Sequence, residues 1–185
     1  MAYDRSIVRI HLYQLALIVR NVAYYRALDA VKKGWDKNYW IFIYNNHLDI
    51  AILEWCKIFG SNGEKTHWKN VVPTKDQREF REQMLKYIGV SADEWEAEWK
   101  VLTGYRNRHL AHHDFSPKRD VYPNLDPVLK SSTFYYQWLR DHWISEFQPQ
   151  YPEDFMDYYA KYFAQAKIFA KAAYDATDRL KETLL

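Results

Sequence analysis

The segment WIFIYNNHLDIAILEWCKIF, residues 40–59, is apolar on more sides than a helix at a protein surface can be. Its pattern predicts an α-helix that Asp36 caps at its start and that Gly60 ends. A helix of this composition must be covered by its neighbours, so we expect it at the centre of a helical bundle.

A first helix is predicted before this segment, over residues 4–33. Gly34 follows it as a helix stop. The helix carries a stripe at three- and four-residue steps, which is typical of a face that packs on a core. The residues of the stripe are Ile7, Ile10, Gln14, Leu17, Ile18 and Val22.

Two capping-box patterns predict the next helices. Thr74 with Gln77 opens a third helix, which Gly89 ends. Ser91 with Glu94 opens a fourth helix, which runs to about residue 113 before Ser116 and Pro117 stop it.

The last two helices are predicted from prolines. Asp126 and Pro127 form a cap and a first-turn proline for a fifth helix that runs to about Phe147. Pro152 opens a sixth helix that continues nearly to residue 185. Between the fourth and fifth helices, residues 114–126 form the longest break in the helical pattern.

These elements predict an all-α, single-domain bundle of about five to six helices spanning residues 1–185. The net charge of +2 is too small for binding of polyanions by the whole surface, so any such contact requires a local concentration of charge. Cys56 is the only cysteine, which excludes an internal disulfide and fits a reducing, cytoplasmic location. No apolar run is long enough to predict a membrane span.

The fourth predicted helix carries an apolar stripe that turns polar toward its end. Trp95, Trp99 and Leu102 lie on one face by a count of about 100° per residue, and Arg106 and His113 continue that face. Burying a guanidinium or an imidazole without a partner costs several kcal/mol. The polar continuation therefore needs a paired acid or an opening in the bundle.

Residues 104–119 form a basic patch around this polar end. Arg106, Arg108, Lys118 and Arg119 are opposed by Asp114 alone, and three histidines add titratable groups. We expect a phosphate-binding site here. His112 lies about 120° from Arg106 on a straight helix. A reach of the long arginine side chain, a distorted last turn or a subunit boundary is needed to bring the two together.

The text YRNRHLAHHD, residues 105–114, resembles the motif of the HEPN superfamily, in the version found in abortive-infection proteins. In that motif an arginine is followed by a polar residue, often asparagine, then by about four further residues and then by a histidine. Arg106, Asn107 and His112 match those positions.

The resemblance implies a metal-independent endoribonuclease that needs no cofactor and acts as a homodimer with a composite cleft. Arg106 would bind the scissile phosphate, His112 would transfer protons, and Asn107 would orient either group. Cleavage would use the 2′-hydroxyl of RNA and leave a 2′,3′-cyclic phosphate. The residues expected to contact RNA are Tyr105, Arg108, His109, His113, Lys118 and Arg119.

The resemblance also bears on biological role. Family members act as toxins in toxin–antitoxin and phage-defence systems, some of them neutralised by a nucleotidyltransferase-type antitoxin protein. Other members are non-catalytic modules that bind RNA, nucleotide or a protein partner. The sequence is consistent with both roles, the catalytic toxin and the non-catalytic binding module.

Several plainer interpretations stand beside the catalytic one. In one interpretation, Arg106 forms an ion pair with an acid such as Asp49 or Glu54 at the edge of the core. In another, His112 is a solvated histidine near a helix C-terminus. His109 and His113 with Asp114 could instead hold a metal ion, although a convincing third helical ligand is missing.

Packing is the expected role of the other conspicuous side chains. Cys56 lies in an apolar helix, so we expect a buried, inert thiol. Aromatic residues at helical spacing could stack on bases but are more typical of core packing. These residues are Tyr135, Tyr136, Trp138, Tyr158, Tyr159 and Tyr162.

Overall fold

The computed structural model describes residues 5–31, 38–111, 122–144 and 152–177. Six α-helices account for most of these residues, and no strand occurs within them. The helices are α1 (Arg5–Val31), α2 (Asn38–Phe59), α3 (Gln77–Ile88), α4 (Ala92–Tyr105), α5 (Asp126–Leu139) and α6 (Phe155–Thr177). The predicted all-α bundle is confirmed.

The core forms around α2, as its apolar composition predicts. Trp55, Ile52 and Leu48 of this helix are fully buried. Helix α1 packs against α2, α5 and α6, and α3 packs against α5. The aromatic residues predicted to pack in α5 do so: Tyr135, Tyr136 and Trp138 are all buried.

Local signals set the boundary between α3 and α4. Gly89 has a left-handed backbone (φ 83°) at the C-terminus of α3, a conformation that favours glycine. The Ser91 hydroxyl accepts from the Glu94 amide, and the Glu94 carboxylate accepts from the Ser91 amide. The second predicted capping box is therefore confirmed.

Two other predicted helix starts and one predicted cap are wrong. Helix α3 begins at Gln77 after Asp76 without a side-chain cap, because the Gln77 amide donates to the carbonyls of Lys69 and Val72. Helix α5 begins where predicted, with Pro127 in its first turn, but Asp126 is its first residue and not its cap. The sixth helix begins at Phe155 and not at Pro152.

The predicted stripe of α1 is also partly wrong. Ile10 is 46% exposed, whereas its neighbour His11 is fully buried and its Nδ1 lies 2.7 Å from the Tyr135 hydroxyl. Burial lowers the pKa of His11 to about 4, with a smaller contribution from nearby His67. The helix is thus turned so that a neutral histidine faces the core.

Two helices change pitch where their regular α-helical segments end. Residues Arg106–Ala111 continue α4 as a π-helix, and Arg140–Ile144 continue α5 in the same way. A π-helix closes its hydrogen bonds one residue further along than an α-helix and is found often at functional sites. The predicted ends of these helices, near residues 113 and 147, lie outside the described residues.

The connection between α2 and α3, residues 60–76, is held by its own contacts. It contains one 3-10 turn, Trp68–Asn70, whose N-terminus is capped by the His67 side chain. Val71 and Val72, the β-branched pair in the sequence, are buried in this connection and form no strand. Nowhere in the described segments is a helix long and apolar enough to cross a membrane.

Candidate functional site

A cleft of about 950 Å³ opens where the end of α2, the α2–α3 connection, α3, α4 and the π-helix meet. Arg106 and Asn107, the first two residues of the predicted motif, are in its lining. The sequence required an opening or an acid beside the polar end of the α4 stripe. The structure supplies both.

The base of the cleft is apolar and well packed. Phe59, Met84 and Trp95 line it while being at most 7% exposed, so each shows only an edge to the cleft. Trp99 is half-buried, and its indole nitrogen donates to the Phe59 carbonyl at 2.7 Å. This bond ties α4 to the end of α2.

Cys56 also lines the base of the cleft and is 1% exposed. Burial raises the pKa of its thiol to about 12, although the positive charge of Arg106 opposes that effect. A thiol with this pKa is protonated at neutral pH. The expected burial of this thiol is therefore found, and a raised pKa disfavours the nucleophilic thiolate.

Arg106 is held by two side chains. Its Nη2 donates to Glu64 Oε1 at 3.2 Å, and its Nη1 donates to Asn107 Oδ1 at 2.8 Å. The arginine side chain is 25% exposed and that of Glu64 is 39% exposed. The guanidinium is thus oriented at the rim of the cleft and remains accessible to solvent.

The acid beside Arg106 differs from the two considered from the sequence. Glu64 comes from the α2–α3 connection, whereas the sequence-based interpretation placed the acid on α2. Of the α2 acids, Asp49 accepts from the Tyr105 hydroxyl at 2.7 Å, and Glu54 contacts Gln14 and Lys57. Residue spacing along one helix cannot predict that an acidic residue of a loop, here Glu64, lies beside Arg106.

The expectation that Tyr105 contacts RNA is corrected by its position. Tyr105 is 1% exposed and packs in the core, with its hydroxyl bound to Asp49. Its ring centre lies 4.9 Å from that of half-buried His109. Tyr105 therefore supports the start of the π-helix and presents no surface to a ligand.

The two other predicted contact residues of the π-helix lie outside the cleft lining. Arg108 is exposed and its guanidinium lies near Gly104, and His109 packs against Tyr105. Their side chains are close to Arg106 in sequence but belong to a neighbouring surface.

Four further predicted site residues, His112, His113, Lys118 and Arg119, lie outside the described residues. The same holds for Asp114, and so for the metal site considered with His109. Among the residues that the structure describes, no group of three histidine, cysteine or acidic side chains is placed to hold a metal ion.

The cleft contains cations that the sequence reading missed. Lys69 of the 3-10 turn and Arg78 and Arg81 of α3 line it and are exposed. Glu96 is the acidic residue in the lining, and it also binds Lys100 at 2.7 Å. Lysines and arginines recur in the sequence from Lys65 to Arg81, and this was the available signal of a basic surface. Counting residues along each helix cannot show that these cations face α4.

His67 in the same lining contributes no charge at neutral pH. It is 3% exposed, and burial lowers its pKa to about 4, with a smaller effect from the charge of Lys69. Its Nδ1 accepts from the Lys69 amide at 3.3 Å. Its role is to cap the 3-10 turn that presents Lys69.

Comparisons of this chain with protein-family models, with curated proteins and with solved structures found no match. The residues of the cleft, and the motif to which Arg106 and Asn107 belong, are therefore the basis for proposing a function.

Proposed function

We propose that this protein is a metal-independent endoribonuclease of HEPN type, with Arg106 and His112 as its catalytic residues. The observation that carries the proposal is the position of Arg106 and Asn107 in the lining of a cleft of about 950 Å³. A guanidinium that is oriented, partly exposed and set in a concave surface is suited to binding a phosphodiester.

The proposed reaction needs only groups of the RNA and of the protein. The 2′-oxygen attacks the adjacent phosphorus, and the bond from phosphorus to the 5′-oxygen of the next nucleotide breaks. His112 takes the 2′-hydroxyl proton or gives a proton to the leaving oxygen. Arg106 stabilises the charge that builds on the phosphate oxygens. The products are a 2′,3′-cyclic phosphate and a 5′-hydroxyl.

Asn107 has a positioning role in this proposal. Its side-chain oxygen accepts from Arg106 Nη1 at 2.8 Å, which directs the guanidinium. The π-helix is also relevant, because it changes the angular relation between Arg106 and residues after it from that of a straight α-helix. The sequence required such a distortion, a reach of the long arginine side chain or a second protomer for Arg106 and His112 to act on one phosphate.

The proposed active form is a homodimer, and the resemblance implies RNA as substrate and a toxin or phage-defence role with an antitoxin protein as further partner. A non-catalytic RNA-binding module is the second candidate. The ion pair of Arg106 with Glu64 favours it, because a neutralised guanidinium stabilises less charge in a transition state.

Substitution of the two catalytic residues tests the proposal. We expect Arg106→Ala and His112→Ala each to lower the rate of single-stranded RNA cleavage by about 10²- to 10⁴-fold, the usual loss for a phosphate clamp or a general acid–base group. Arg106→Lys keeps the charge but loses the planar fork, so we expect an intermediate rate.

The matched control is Lys171→Ala, which removes an exposed cation from α6. Thermal unfolding of each variant separates loss of chemistry from loss of fold. Wild-type cleavage rates in well-folded Arg106→Ala and His112→Ala proteins would overturn the proposal.

A further inference from the structure

Lys69, Arg78 and Arg81, called the cationic wall below, lie in the cleft lining on elements that do not carry Arg106. Lys69 belongs to the 3-10 turn and the two arginines to α3, whereas Arg106 starts the π-helix after α4. None of the three belongs to the predicted motif or to the basic patch. Their meeting with Arg106 is a product of the fold.

The charges around the cleft are unequal. The cationic wall and Arg106 supply four positive side chains, whereas Glu96 in the lining and Glu64, the partner of Arg106, supply two negative ones. His67 is neutral because burial lowers its pKa to about 4. Arg78 approaches the Glu82 carboxylate only loosely, at 3.9 Å with both side chains largely exposed, and that contact is worth little in water. The cleft therefore favours an anion.

The spread of these cations favours an extended anion over a small one. A single phosphate is satisfied by one or two guanidinium groups. A cleft of about 950 Å³ with cations on three elements is suited to several phosphates in series.

The apolar base adds a preference for unpaired strands. Half-buried Trp99 contributes aromatic surface to the lining beside the charges, and Trp95 adds an edge. Bases of a single strand can be splayed out onto such surface, whereas a duplex hides its bases and presents mainly sugars and phosphates. Charge and apolar surface in one cleft are the combination used by proteins that bind single strands.

We infer that the cationic wall binds the phosphates of a single-stranded RNA on one side of the phosphate held by Arg106, so that Lys69, Arg78 and Arg81 are substrate-binding residues. This inference rests on the proposed function for the identity of the ligand. It adds a binding site that the motif does not contain.

The experiment measures binding of a single-stranded 2′-O-methyl RNA, which lacks the attacking hydroxyl and cannot be cleaved by the proposed chemistry. The test variant is Lys69→Gln, Arg78→Gln and Arg81→Gln together. The matched control removes three exposed cations of α6 by Lys161→Gln, Lys167→Gln and Lys171→Gln. Both variants have the same net charge, so a difference in RNA binding between them shows that the position of the cations matters.

The salt dependence gives the sharpest readout. Each phosphate contact to a single strand contributes about 0.7 to the slope of log K against log salt, so loss of three contacts lowers the slope by about 2. Between 50 and 200 mM salt the wild type then loses about 20-fold more affinity than the cationic-wall variant. The α6 variant keeps the wild-type slope.

The outcomes separate the two proposals. Equal slopes for the wild type and the cationic-wall variant would overturn this inference, even if Arg106 and His112 prove catalytic. A lowered slope together with no RNA cleavage by the wild type would support the binding site and contradict the nuclease. Binding of a duplex as tight as that of the single strand would overturn the preference for unpaired RNA.

Discussion

The Glu64 carboxylate orients Arg106. In the proposed function it would also compete with the RNA phosphate for the same guanidinium. Glu64 accepts from its Nη2 at 3.2 Å, and both side chains are partly exposed. Partial exposure screens the pair, so the bond is weak enough for an anionic ligand to displace or share it. In the proposed function, Glu64 would therefore set how strongly the cleft attracts RNA.

Glu64→Gln tests this role at a single atom. The substitution removes one negative charge and keeps an oxygen that can accept from Arg106. We expect binding of the 2′-O-methyl RNA to tighten by about threefold to tenfold, the effect of one screened charge interaction of about 0.7 to 1.4 kcal/mol. Glu153→Gln, at an exposed position before α6, is the matched control and should leave affinity unchanged.

Weaker binding by Glu64→Gln would contradict this account of the pair. It would mean that Glu64 is needed to hold Arg106 in its binding conformation, and that orientation outweighs the repulsion between carboxylate and phosphate.

Helix α2 ends at Phe59, and Gly60 follows it directly at the edge of the cleft. Gly60 donates its amide to the Cys56 carbonyl at 2.9 Å, and a Cβ at this position would overlap that carbonyl oxygen. Because the blocking atom belongs to the backbone, it cannot move aside as a flexible side chain does. Gly60 also lines the cleft, so this turn shapes the site directly.

Gly60→Ala should lower the free energy of unfolding by about 1–3 kcal/mol, the usual cost of forcing a methyl group into filled space. Gly63→Ala is the control, because its nearest neighbour would be the Ser61 hydroxyl at an ordinary 3.6 Å. Chemical denaturation measures both. Equal stability of the two variants would show that the end of α2 adjusts without cost.

Signals that act over a few residues predicted the boundary between α3 and α4. The Ser91 and Glu94 box and Gly89 were predictable because each bond joins residues at most four apart. The Thr74 and Gln77 pattern failed because Gln77 bonds to carbonyls of the preceding connection. In α1 the choice between Ile10 and His11 as the buried residue depends on Tyr135, which lies 124 residues away.

How the helices pack in the whole bundle determines which residues of the site could be predicted from the sequence. A helical count predicted that Arg106 ends an apolar stripe and faces an opening, and the cleft is found there. It could not predict Glu64, Lys69, Arg78 or Arg81, since these meet Arg106 only through the packing of α2, α3 and α4. The resemblance led us to expect that Tyr105 contacts RNA, whereas Tyr105 is buried in the core with its hydroxyl bound to Asp49.

The assembled cleft combines an oriented guanidinium, a cationic wall and an apolar base. Each part has a separate consequence: Arg106 for the rate of cleavage, the cationic wall for salt-dependent binding, and the base for the preference for single strands. A binding module needs only the last two. The chemistry at the scissile phosphate is therefore what distinguishes a nuclease from such a module.

The most direct measurement is end-group analysis of a single-stranded RNA after incubation with the wild-type protein in excess EDTA. We expect cleavage at an undiminished rate, with 2′,3′-cyclic phosphate and 5′-hydroxyl ends, and no cleavage of a DNA strand of the same sequence. Intact RNA, cleavage that EDTA abolishes, or products with a 5′-phosphate would contradict the proposal that this cleft is a metal-independent ribonuclease site.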